Sequence, residues 1–240
     1  MYTHYTDSME NLIKTEEGRN ALLNSSNRNS KAFLAQNGFK LEELKNDPEW
    51  IVRMHVALHG VNLHNYVNDE SSAVRRIVAK NGIGLETLKD DDSALVRLAV
   101  AQQNYKLTEF VDDHSFFIRQ YLADKGVCLD VLVHDRNPVV RSAVACCGYA
   151  PDILGNDSIE YIRELSKKAS EAEEIVTLYD NFMSGGRALK AYKFADGHIE
   201  LTGRLHSELI SVAEFSSILE TENKTKELTE ALELLEKAFN

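Results

Sequence analysis

Cysteine, proline and tryptophan are scarce in this chain, whose 240 residues include three, three and one of them. The cysteines are Cys128, Cys146 and Cys147, an odd set with two adjacent members, which reads as reduced, partly buried thiols rather than a disulfide framework. No basic residue adjoins Cys146 and Cys147 in the sequence to draw down a thiol pKa, so both read as small apolar fillers. No run of about 18 apolar residues occurs, and residues 1–20 are polar and acidic rather than basic and then apolar. Those two absences lead to the expectation of a cytoplasmic protein without membrane contact. A phosphate loop, a Rossmann glycine pattern, HExxH and GxSxG are missing as well. The chain is therefore expected not to be an enzyme and to use no cofactor and no metal.

Basic charge is the other deficit. Lys and Arg number 27 against 38 Asp and Glu, for a net charge of −11. Residues 1–40 carry +1, residues 41–150 carry −4 and residues 151–240 carry −8. Nucleic-acid affinity comes mainly from cations that displace counterions, so an acidic body of this kind makes a phosphate backbone an unfavoured partner. Apolar material is not lacking: 43% of the residues are hydrophobic, enough for a substantial core.

What the chain does have is a strict internal period. Leu41, Leu63, Leu85, Leu107 and Leu129 stand 22 residues apart. Each is followed at fixed distances by Asp (Asp47, Asp69, Asp91, Asp113, Asp135), Arg (Arg53, Arg75, Arg97, Arg119, Arg141) and Ala (Ala57, Ala79, Ala101, Ala123, Ala145). Within Leu85–Lys106, Leu85 and Leu88 make a short apolar turn, and Asp90, Asp91, Asp92 and Ser93 interrupt it and offer N-cap oxygens. The spacing of Leu95, Val96, Ala99 and Val100 then predicts a helix with one buried stripe. Gly60, Gly82, Gly126 and Gly148, with Asn104 in their place once, supply the left-handed residue that ends each helix.

Each 22-residue unit holds one helix and one helical turn, where HEAT and armadillo units need about 40 residues for full helix pairs. No such unit buries its apolar face alone, so neighbours must stack. The pattern LxxLxxD…VRxxVAxNG, seen in Leu63–Gly82 and Leu85–Asn104, resembles the leucine-rich repeat variant family, a HEAT-like class. That resemblance implies a right-handed α-solenoid in which a short 3₁₀ helix alternates with an α-helix. Weaker copies flank the five: Ser25, Lys31, Leu34, Ala35 and Gly38 upstream, and Leu154, Asp157, Ile162, Arg163 and Lys167 downstream. The expected organisation is an N-terminal helical cap over residues 1–18, about seven repeats over 19–170, and a C-terminal α+β appendage over 171–240.

In the appendage, Glu171–Met183 reads as a helix ended by Gly185-Gly186. Ala188–Phe194 and His198–Thr202 alternate around Asp196-Gly197, a hairpin signal, with Leu205–Val212 as a companion segment. Asn223–Phe239 reads as an amphipathic helix with Leu228, Leu232, Leu235 and Phe239 on one face. That face packs on its own chain or makes a homodimer contact.

The Arg and Asp positions match unit for unit, which favours structural pairing between units over a strip for nucleic acid. Binding is expected where the helix positions vary: Met54, Arg76, Leu98, Gln120 and Ser142, and one turn on Leu58, Lys80, Gln102, Asp124 and Cys146. Trp50, Met54, Arg76, Lys80, Phe116 and Gln120 are the candidate partner contacts, as large aromatic and cationic groups dominate interface energies. For Trp50 and Phe116, packing against a terminal segment is the competing reading. His55 and His59 have a zinc-compatible i, i+4 spacing, but no third ligand accompanies them and His55 takes a packing position. The expected function is a non-enzymatic scaffold or adaptor that binds a protein through the repeat surface. The alternative is a nucleic-acid-associated role: an acidic inhibitor of a DNA-binding or defence protein, of phage type, or a HEAT-like DNA-binding protein or glycosylase.

Overall fold

The computed structural model describes residues 9–182, 187–202, 209–212, 233–235 and 237–238. They are mainly helical, with one small antiparallel sheet, in two compact units, Met1–Tyr105 and Lys106–Asn240. Among them no helix is long and apolar enough to cross a membrane.

Unit 1 holds α1 (Glu16–Leu23), α2 (Arg28–Gln36), α3 (Leu41–Leu44), α4 (Trp50–Leu58), a 3₁₀ turn (Leu63–Asn68), α5 (Ser72–Lys80), α6 (Leu85–Leu88) and α7 (Ala94–Gln102). The long helices α2, α4, α5 and α7 pack each against the next. Unit 2 holds a 3₁₀ turn (Leu107–Phe110), α8 (Phe116–Asp124), α9 (Leu129–Leu132), α10 (Pro138–Ala145), α11 (Pro151–Leu154) and α12 (Glu160–Glu171). Here α8 packs on α10 and α10 on α12. The five marker leucines each open a short element, and the long helices start in step with them.

Burial explains the spacing. The residue three positions after the start of each short element, Leu44, Tyr66, Leu88, Phe110, Leu132 or Leu154, is buried. So is an i, i+4 pair on each following helix: Val52 and Val56, Val74 and Val78, Val96 and Val100, Ile118 and Leu122, Val140 and Val144. Each such side chain contributes about 1.5–3 kcal/mol on leaving water. Ala57, Ala79, Ala101, Ala123 and Ala145 are wholly buried too, and a larger residue there would overpack the core.

The long helices end at left-handed residues, Gly60, Gly82, Asn104, Gly126 and Gly148, as expected. A second left-handed residue follows two positions later, at Asn62, Gly84, Lys106, Cys128 and Ala150, and turns the chain into the next short element. Its composition carries no signal, since only one of the five is glycine.

Two local expectations are corrected. Leu95 does not join the buried stripe: it is 57% exposed, whereas Val96, Ala99 and Val100 are buried. Nor do the residues before α7 cap it through Ser93, whose side chain makes no cap bond. Asp91 Oδ1 instead accepts from the Ser93 N–H at 2.8 Å, closing a local turn that fixes the entry to the helix.

The larger correction lies at 171–183. Helix α12 runs to Glu171, and Glu174–Phe182 is a strand, β1, not a helix. It pairs antiparallel with β2 (Arg187–Lys193), supplying the neighbour that turns a helix-like apolar spacing into a sheet edge. The expected hairpin is present: β2 pairs with β3 (Ile199–Thr202), with Gly197 left-handed at the turn. β4 (Leu209–Ser211), from the companion segment, pairs with β3, and the sheet order is β1-β2-β3-β4. Gly185-Gly186 and most of the Asn223–Phe239 helix lie outside the described residues. Residues 233–235 and 237–238 are helical, and Leu235 is buried.

Candidate protein-binding face

Pairing of Arg with Asp joins successive units, and it does so by a repeated geometry. Arg53 Nε and Nη2 reach Asp69 Oδ2 and Oδ1 at 2.6 and 2.9 Å. Arg75 holds Asp91, Arg119 holds Asp135 and Arg141 holds Asp157 in the same two-pronged way, each 16 residues on. The third nitrogen, Nη1, donates to the carbonyl of the Asp six residues back, at 2.8 Å from Arg53 to Asp47 and 2.7 Å from Arg75 to Asp69. Each guanidinium thereby ties the turn before its own helix to the carboxylate of the next unit. Lys31 takes the Arg place upstream and reaches Asp47 Oδ2 at 3.1 Å. Arg97 and Arg163 donate to the carbonyls of Asp91 and Asp157.

Burial disfavours charge on Asp91 and Asp135. The hydrogen bonds from Arg75 and Arg119 and from the Ser93 and Asn137 N–H groups outweigh that penalty and hold both carboxyls below the ordinary range. At Asp157 the Arg141 hydrogen bond leads the same lowering. These arginines are occupied and do not form an open cationic strip.

The outward positions of α4, α5 and α7 are different. Trp50 is 46% exposed, Leu58 59% and Leu95 57%; Arg76 and Lys80 are exposed, and Met54, Leu98 and Gln102 half-buried. Spacings of i, i+4 and i+8 put Trp50, Met54 and Leu58 on one side of α4, and Ser72, Arg76 and Lys80 on the same side of α5. Neither Arg76 nor Lys80 has a hydrogen bond or ion pair among the described residues. The helices α2, α4, α5 and α7 contain no Asp or Glu, although the chain carries −11 overall. Acidic residues of unit 1 sit in the turns, the short elements and the N-terminal segment, leaving the helix faces apolar and cationic.

The equivalent positions of unit 2 are covered. Strand β2 packs on α8. Lys190 Nζ donates to Asp124 O at 3.2 Å, and Tyr192, wholly buried, donates from its hydroxyl to Cys146 O at 2.7 Å. Ser142 is 5% exposed. Gln120, expected as a partner contact, is buried at 5% exposure on the helix that β2 packs against, so it is not available to a partner. Phe116 is half-buried, its ring 4.1 Å from that of Phe117, which is 59% exposed and was not singled out by the sequence pattern.

The expectation that no basic group stands near Cys146-Cys147 is also corrected, because the neighbour comes from β2. Lys190 Nζ lies 3.1 Å from Cys147 Sγ. Burial still prevails and raises both thiols, Cys146 to about 12. His59 Nε2 contacts Gln36 O at 3.2 Å, and half-buried His55 is held below its ordinary pKa by burial and then by His59. Among the described residues no group of three His, Cys, Asp or Glu is placed to hold a metal ion.

Comparison with protein-family models, curated proteins and solved structures finds no match.

Proposed function

We propose that the chain is a non-enzymatic protein-binding module. Its repeats, about seven over residues 19–170, form a right-handed α-solenoid of the leucine-rich repeat variant kind, and the partner docks on the outward face of α4, α5 and α7. The observation that carries this reading is the composition of that face: large apolar side chains around Arg76 and Lys80, without a single carboxylate, in an acidic chain. Exposed apolar groups ringing a pair of open cations match the make-up of interface centres. Two cations are too few to hold a phosphate backbone with useful affinity. The 22-residue period supports the repeat reading, and the paired arginines support a fixed stacking angle between neighbouring repeats.

The test is a photoreactive residue placed at Leu98, or as a control at exposed Val131 on α9, in the full chain irradiated in its host. The expected outcome is a discrete protein adduct from position 98 and none from position 131. Equal adducts from both sites, or adducts to nucleic acid from position 98, would overturn the reading.

A further inference from the structure

The way β2 lies on unit 2 is a precedent for what the open face of unit 1 takes. Lys190 and Tyr192 are alternate residues, on one side of β2. Their acceptors, Asp124 O and Cys146 O, stand 22 residues apart, at one repeat position of successive long helices. Alternate strand residues lie about 6.5–7 Å apart and packed helices about 8–10 Å apart. Side chains as long as Lys and Tyr span that difference. An extended segment crossing these helices thus places every second side chain on the next helix.

The same repeat position on α4, α5 and α7 is Leu58, Lys80 and Gln102. Among the described residues, no hydrogen bond reaches the carbonyl of any of the three. They belong to the last turns of their helices, where carbonyls lack an intrahelical partner. The side chains around them form a sequence of their own: Met54 and Leu58 on α4, Arg76 and Lys80 on α5, Leu98 and Gln102 on α7. That order is apolar, cationic and uncharged across three adjacent helices, with Leu98 as the apolar group on the third.

We infer that the face of α4, α5 and α7 binds an extended segment of a partner protein lying across the helices as β2 does, with an acidic side chain over Arg76 and Lys80 and apolar side chains two residues to either side. The inference rests on the protein-binding reading and adds the conformation and residue pattern of the partner. Charge complementarity sets the central residue, the strand period sets the spacing, and the flanking apolar side chains set the outer two.

Panning a displayed library of random nine-residue segments against the immobilised full chain tests it, with the enriched peptides then measured by fluorescence anisotropy. Enriched sequences are expected to carry Asp or Glu with Leu, Ile, Val, Phe or Met two positions before and after. Their affinity is expected to fall about tenfold or more with Arg76→Glu or Lys80→Glu. A peptide with Lys in place of its acid should regain binding to the Arg76→Glu chain. Both substitutions are at exposed positions, so folding is not at issue. Enriched sequences with apolar residues three and four apart, enriched basic sequences, or binding indifferent to both substitutions would overturn the inference. Absence of any enriched peptide would overturn it too, while a protein adduct at position 98 would still stand for a folded partner.

Discussion

Arg119 and Asp135, 16 residues apart, face each other through two hydrogen bonds of 2.6 and 2.9 Å, with 5% and 6% of their side chains exposed. Removing one partner of so enclosed a pair strands the other charge, which costs about 3–5 kcal/mol. Arg119→Met is expected to lower stability by about 3 kcal/mol in urea denaturation. Arg76→Met, next to the ladder residue Arg75 in sequence but exposed, should change it by less than about 0.5 kcal/mol. Equal effects would mean that the ladder does not lock the units.

Backbone conformation yields a pair of opposite outcomes. Ala150 has φ +48°, where an L-residue costs about 1–2 kcal/mol relative to glycine. After the extra flexibility glycine gives the unfolded chain, Ala150→Gly is expected to stabilise by about 0.5 kcal/mol. Gly84→Ala should destabilise strongly, because an added Cβ would meet Val67 Cγ2 at 2.7 Å at φ +64°. Thermal unfolding of the two variants checks the signs.

The pH response follows from which state binds protons more tightly. His55 has a lowered pKa in the folded protein, from burial and then from His59. The unfolded chain therefore takes up its proton first, and stability falls as pH drops from about 6.5 towards the lowered value, then levels off. Asp91, Asp135 and Asp157 are lowered as well, so their contribution is present above about pH 4 and disappears as pH falls through their folded values. Urea midpoints of the parent and His55→Gln between pH 5 and 8 should differ in slope below about pH 6.5 and run parallel above it.

The seat of the sheet on unit 2 can be read through its thiols. Burial pushes Cys146 up to about 12, and Tyr192 covers its carbonyl. At pH 8 a thiol reagent should label Cys146 slowly in the native protein. Tyr192→Phe should cost about 1 kcal/mol through its lost hydrogen bond, whereas Tyr192→Ala should both destabilise by about 3 kcal/mol or more and speed labelling of Cys146. Fast labelling in the parent would contradict the packing of β2 described here.

The parts of this protein that were legible in its sequence are those where one local rule acts alone. Leucine, aspartate, arginine and glycine recur at positions where burial, turn closure, pairing and left-handed backbone each demand one residue type, so helix starts and ends can be read directly. Gln120 could not be placed the same way, because its burial depends on a strand some 70 residues downstream, and nothing near Gln120 announces β2. Segment 174–182 is ambiguous for the same reason: Ile175 and Val176 fit a helix stripe as well as a strand until β2 pairs beside them. Trp50, Met54, Arg76 and Lys80 were found by their variation between units, and the absence of acid from their helices became meaningful only once those helices were seen to adjoin.

The most direct measurement is quantitative affinity purification from the native host with the full chain, its Arg76→Glu/Lys80→Glu variant and a Val131→Glu control, all checked for equal melting temperatures. The account predicts a partner retained by the parent and the control and depleted about tenfold or more by the double variant. A partner recovered equally by all three, with the fold intact, would show that the face of α4, α5 and α7 is not where this protein binds.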